Sequence, residues 1–183
     1  MFKFSKMSKQ KFSLSYLNED DRAYGLAGMM VALAGLDAID RVASVSIDST
    51  GPMVEFSHEY YFSGSPSISP KSTWDNLVAN FHITTSMVMG NIFARTLVRL
   101  KDEAPEEVMK EVYLQVVEEG KETCDLDKDE VDKLFSHVLS GANRIFRNPR
   151  VHPAIDEFAR VISLKRSFSG REIFDELHLL QLI

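Results

Sequence analysis

Apolar and polar positions change period several times along the chain. Phe12, Leu14 and Tyr16 alternate with Ser13 and Ser15, the period of a half-buried strand. Asn18 then suits an N-cap, and Glu19, Asp20 and Asp21 complement the positive end of a helix running to about Ala38. Val42–Asp48 and Met53–Tyr61 are β-branched and aromatic runs joined by Ser49-Thr-Gly-Pro52, which predicts a hairpin. Pro66 and Pro70 make Ser63–Ser72 a loop.

Helical spacing dominates the remainder. Ser72-Thr-Trp-Asp75 resembles a capping box opening a long helix to about Lys101, and Pro105 suits the first turn of the next. Asp127-Lys-Asp-Glu130 opens another, whose apolar face is Val131, Leu134, Phe135, Val138, Ala142 and Ile145. Pro149 and Pro153 precede a helix near Ala154–Leu164, and Ser169-Gly-Arg-Glu172 caps a last one. The order β-α-β-β followed by five helices predicts an α+β fold. A small three-stranded antiparallel or mixed sheet with two packed helices is followed by a helical C-terminal half. One compact domain over 1–183 is expected, and its only natural subdivision would be an α+β part, 1–103, and a helical part, 104–183.

Two stripes of small residues stand out. Gly25, Gly28, Ala32 and Gly35 share a narrow face of the first helix, and His82, Ser86, Gly90 and Ala94 repeat every fourth residue on the long one. Each mid-helix glycine costs about 1 kcal/mol against alanine, so close approach of another element is expected to compensate. Packing of the two helices within the chain is the plainer reading. A self-associating face or a narrow ligand slot would use the same residues.

Composition removes several function classes. The 183 residues include 27 acids and 21 Lys or Arg, for a net charge of −6, which disfavours nucleic-acid binding. A turn at Ser167-Phe-Ser-Gly170 faintly suggests helix-turn-helix, but the following Arg171–His178 segment is acidic. The lone cysteine, Cys124, excludes an intrachain disulfide and a Cys-rich zinc module. The longest apolar run, Leu26–Leu36, falls short of the roughly 20 residues a membrane span needs. Lys3, Lys6, Lys9 and Lys11 resemble a signal-peptide start, but no continuous apolar run or A-x-A site follows. A cytoplasmic protein is expected. Charge is also segregated: Asp102–Asp132 carries thirteen acids and three lysines, whereas Ser140–Arg171 has a net charge of +5.

The candidate chemistry is sparse. His82 sits among Phe81, Ile83, Met87 and Val88, within helical reach of Thr85 and Ser86, and no second titratable group lies on its face. Glu55 and Glu59 on one strand face would stand about 13 Å apart, beyond the 5–9.5 Å of a glycosidase pair. Asp175 and His178 have the spacing of a surface ion pair. Asp125–Asp129 fails as a calcium loop because Glu130 and Ser136 occupy the positions of the required Gly and Glu, so these acids are read as a helix cap. Acidic neighbours would raise the Cys124 thiol pKa, opposite to what a nucleophile needs. No P-loop, G-x-S-x-G, G-x-G-x-x-G or H-E-x-x-H motif occurs.

The expected function is therefore non-catalytic, acting through homo-oligomerisation or a protein partner, with no cofactor, metal, nucleic acid or membrane. The stripe residues Gly25, Gly28, Ala32, Gly35, Ser86, Gly90 and Ala94 are the candidate interface. The alternative is a small-molecule binder or unfamiliar enzyme, with a pocket between sheet and long helix lined by His58, Tyr60, Trp74 and His82.

Overall fold

A computed structural model describes residues 12–61 and 70–183. The basic start Lys3–Lys11 and most of the expected Ser63–Ser72 loop lie outside the described residues. Asn18 caps helix α1 (Glu19–Gly35), its side chain accepting from the Asp21 N–H at 2.8 Å. The helix stops short of Ala38. The Ala38 and Asp37 N–H groups fold back to the carbonyls of Leu33 and Ala34, and Asp37 takes a left-handed φ of 54°. β1 (Val42–Ser46) and β2 (Val54–Phe56) form the expected hairpin, shorter than predicted, and α2 (His58–Tyr61) replaces the end of the second strand.

The long helix, α3 (Pro70–Phe93), continues through π-type turns at Ala94–Leu100 and ends at Lys101 in the left-handed region. It starts before Ser72, so the expected capping box is not its origin. Then come α4 (Glu106–Cys124), α5 (Lys128–Phe146) and α6 (His152–Lys165), followed by β3 (Ser167–Ser169) and α7 (Gly170–Leu179). Asp127 and Ser169 both form true capping boxes, with Glu130 and Glu172 respectively. The architecture is α+β, with an antiparallel sheet of order β2-β1-β3 and a helical C-terminal half.

Two strand assignments need correction. Residues 12–17 form no strand; the third strand is β3, from the segment read as a turn. Ser44, Val45 and Ser46 pair with Ser169, Phe168 and Ser167. Val45, Val54 and Phe168 are buried on one face, while Ser44–Glu55 and Ser46–Ser167 hydrogen-bond side chain to side chain. This is the alternation of a sheet with one wet face. The β1–β3 pairing joins segments from both sides of residue 104. Gly170 is required beside it, because a Cβ there would lie 2.0 Å from the Val42 carbonyl oxygen.

Residues 12–17 are instead wrapped around a buried cation. Arg95 has no exposed surface, and its guanidinium meets Asp21 through Nε–Oδ1 at 2.9 Å and Nη2–Oδ2 at 2.6 Å. It also donates to the carbonyls of Ser13, Leu14 and Ser15 and to Asn91 Oδ1. Phe12 and Tyr16 flank it, with ring centroids 4.5 and 4.7 Å from the guanidinium carbon. A buried arginine needs all its N–H groups satisfied, and a strand would turn these carbonyls toward a neighbouring strand instead. The alternation of apolar residues was real, but the cation decides the backbone.

The two stripes meet inside the chain. Helices α1 and α3 are antiparallel: Asp21 lies opposite Arg95, and Gly28 opposite Gly90. A Cβ on Gly28 would stand 2.1 Å from the Gly90 carbonyl oxygen, and one on Gly90 would stand 2.3 Å from that of Gly28. Ala32 and Ala94 complete the contact, their methyl groups lying 2.7 and 2.6 Å from those same added positions. Gly25 sits under Asn91 and Tyr16.

Candidate functional site

The same two helices part toward the C-terminal end of α1. There, with α5 as the third wall, they leave a cavity of about 200 Å³. Helix α1 contributes Ala32 and Gly35, with Leu36 just beyond it. Helix α3 contributes His82 and Ser86, about two turns and one turn before Gly90. Helix α5 contributes His137, Val138, Ser140, Gly141, Ala142, Arg144 and Ile145. The packing rule that brings Gly28 onto Gly90 is absent on the α5 side. A Cβ at Gly141 would meet nothing within 4 Å, so this glycine borders open space.

The polar groups of this cavity are under-used. His82 is half-buried, and its Nε2 is sealed from solvent with no hydrogen-bond partner. An unsatisfied buried polar atom costs about 1–3 kcal/mol and calls for an occupant or a functional reason. Thr85, within reach by sequence, turns its hydroxyl instead to the Phe81 carbonyl at 2.7 Å. Ser86 is buried to 6% exposure and has no side-chain partner among the described residues. The titratable group missing from the sequence reading comes from α5: the His137 ring centroid lies 5.5 Å from that of His82. Burial, and then the neighbouring His137, hold the His82 imidazole below the usual histidine range, so it is neutral at pH 7.

The lining is also one-sided in charge. No aspartate or glutamate lines the cavity, and Arg144, exposed at its edge, pairs with no carboxylate among the described residues. Of the arginines that follow it, Arg147, Arg160, Arg166 and Arg171 each hold one or more carboxylates, whereas exposed Arg150, like Arg144, pairs with none among the described residues.

His82 therefore belongs to a cavity, but not the one expected between sheet and helix. His58, Tyr60 and Trp74 do not line it. His58 is exposed at the start of α2. Tyr60 stacks on Phe56, with centroids 3.9 Å apart, and Asn80 donates to its carbonyl. Trp74 donates its indole N–H to the Cys124 carbonyl at 2.8 Å. Of the stripe residues, Ala32, Gly35 and Ser86 border the cavity; Gly25, Gly28, Gly90 and Ala94 are spent on the α1–α3 contact. Sequence reasoning missed His137, Ser140, Gly141 and Arg144. The available signal was Gly141, a mid-helix glycine flanked at helical spacing by His137, Arg144 and Ile145.

Other candidates resolve as structural. Asp175 pairs with Arg171, not His178, whose ring packs edge-on against Phe174. Cys124 is buried at 1% exposure; burial, and then the charge of Glu119, push its thiol up. No group of three or more His, Cys, Asp or Glu side chains among the described residues is arranged to hold a metal ion, and no helix among them is long and apolar enough to cross a membrane. Comparison with protein-family models and with curated proteins finds no match.

Proposed function

We propose that this chain is a small-molecule-binding protein whose site is the cavity between α1, α3 and α5. One observation carries the reading: α1, α3 and α5 leave a cavity of about 200 Å³ that His82, Ser86 and His137 line and that Gly141 leaves unfilled. Pockets of this kind combine an apolar lining with a few convergent polar groups. Binding is preferred to catalysis because the lining offers no carboxylate to orient either histidine, and His82 Nε2 is hydrogen-bonded to no nucleophile. A cytoplasmic setting, in which thiols stay reduced, suits the single buried Cys124.

The test fills the site without touching its polar groups. Gly141→Leu places a side chain in open space and should leave the protein folded, at or above wild-type melting temperature. Native mass spectrometry and thermal-shift screening against small molecules should then find binders of the wild-type chain that the variant no longer binds. Binders that act equally on both proteins would refute the reading.

Self-association is the second reading, with homo-oligomer or protein partner as its form. It no longer draws support from the glycine stripes. What favours it is apolar surface late in the chain, where Leu164 and Leu179 are 70% and 76% exposed. Sedimentation of the wild-type chain and of Leu179→Lys, over a range of concentrations, separates a dimer that needs this surface from a monomer.

A further inference from the structure

We infer that the occupant is a small organic monocarboxylate with one compact ring or short branched body, its charge met by Arg144. The inference rests on the binding reading above and narrows its ligand class by charge, size and donor set. The charge argument is local. In a chain with 27 acids, the cavity has no carboxylate in its lining and has at its edge one arginine that pairs with no carboxylate among the described residues. The chain as a whole carries a net charge of −6, and Arg144 lies in its basic stretch, Ser140–Arg171, so an anion is drawn to this side of the molecule rather than to the acidic Asp102–Asp132 segment. A planar guanidinium is suited to a carboxylate, which it can bind through two parallel hydrogen bonds.

Size and donors narrow the class further. An apolar cavity of about 150 Å³ holds benzene, so about 200 Å³ holds one six-membered ring with a carboxylate attached. Ala32, Val138 and Ala142 supply an apolar wall for that ring, and the unpartnered Ser86 hydroxyl supplies a hydrogen bond. A phosphate dianion is a poorer match, because Arg144 is the cavity's one permanent cation and His82 is held neutral.

Three probes of nearly equal shape separate the possibilities: benzoate, benzamide and benzylamine. Binding is followed by the methyl resonances of Ala32 and Ala142 in wild type, Arg144→Gln and Gly141→Leu. Benzoate is expected to bind the wild-type chain about tenfold more tightly than benzamide, a difference typical of one charge-assisted contact. Arg144→Gln should bring the two to parity, and Gly141→Leu should abolish both. Benzamide or benzylamine binding as well as benzoate, or benzoate unaffected by Arg144→Gln, would overturn the anion assignment while leaving the cavity a binding site. If none of the probes moves the alanine methyls, or if Gly141→Leu still binds benzoate, the cavity reading fails and this inference with it.

Discussion

Replacing Gly28 with alanine adds one methyl group at the closest approach of α1 and α3. That carbon would stand 2.1 Å from the Gly90 carbonyl oxygen and 2.6 Å from the Ala94 methyl, where ordinary carbon contacts lie at about 3.5–4.0 Å. The nearest obstacle is backbone, so no rotamer change relieves it. The helices must separate by roughly 1 Å, a gap that forfeits a quarter to a half of each dispersion contact across it. Overpacking of this kind costs about 1–3 kcal/mol, and a backbone clash puts Gly28 at the upper end. Alanine returns about 1 kcal/mol of helix propensity. The net expectation is a loss of about 2 kcal/mol, or roughly 4–8 °C in melting temperature for a chain of this size.

Urea denaturation read by circular dichroism measures that loss, with Gly141→Ala as the internal control. At Gly141 the added methyl meets nothing within 4 Å, so only the propensity gain remains and stability should rise by about 0.5–1 kcal/mol. The two substitutions are chemically identical and are predicted to have opposite signs. Gly28→Ala combined with Gly90→Ala should cost less than the sum of the two single changes, because one separation of the helices relieves both clashes. A Gly28→Ala protein as stable as wild type would refute the close-packing argument. So would equal effects at Gly28 and Gly141.

Asp21→Asn keeps the shape of the Arg95 site but leaves a buried guanidinium without its counter-charge, and should cost about 3–5 kcal/mol in the same assay. Burial alone would raise the Asp21 carboxyl pKa, but the hydrogen bonds from Arg95 and the Leu17 N–H, with the charges of Arg95 and Arg99, hold it below the usual range. Its contribution is therefore present above an unfolded pKa of about 3.9 and lost as pH falls through the native value; Asp21→Asn should lack that acid limb. His82 behaves in the same sense at higher pH. Its native pKa is lowered, so the neutral ring contributes fully above about pH 6.5, and that contribution is lost as pH falls through the native value. His137 shares the cavity and adds repulsion to a protonated His82 ring. Unfolding free energies at several pH values for wild type and His82→Gln should differ in slope between pH 7 and 5, and parallel curves would count against the assignment.

The helices were legible because their signals are local. Asn18, Asp127 and Ser169 act as caps within three residues of their partners, and the apolar face of α5 repeats over about four turns. The third strand was not legible, because Ser167-Phe168-Ser169 is too short for a period to show. What makes it a strand is distant in sequence. Arg166 turns the chain with a left-handed φ of 70°, and Asp48 and Glu19 hold its side chain. Residues 12–17 failed for the complementary reason. Their alternation is local, but the cation they wrap lies some 80 residues away. The site was half legible: His82, Ser86, Ala32 and Gly35 were singled out, whereas the wall from α5 depends on how a third helix packs.

That division has one physical source. Small residues on facing helices admit close approach only where both helices carry them in register and nothing larger intervenes. Along most of α1 and α3 this holds, from Gly25 under Asn91 to Gly28 on Gly90. Beyond Ala32 the facing positions are Ser86 and His82, and α5 enters between the helix ends with Gly141 toward the gap and Ile145 over Gly35. A side chain at 141 would close this space at a gain in helix propensity of about 1 kcal/mol, and satisfying His82 Nε2 would recover about as much again. The sequence takes neither gain. Stability alone favours filling the cavity, so the open glycine and the unpartnered imidazole nitrogen share one explanation if the cavity is kept for a ligand.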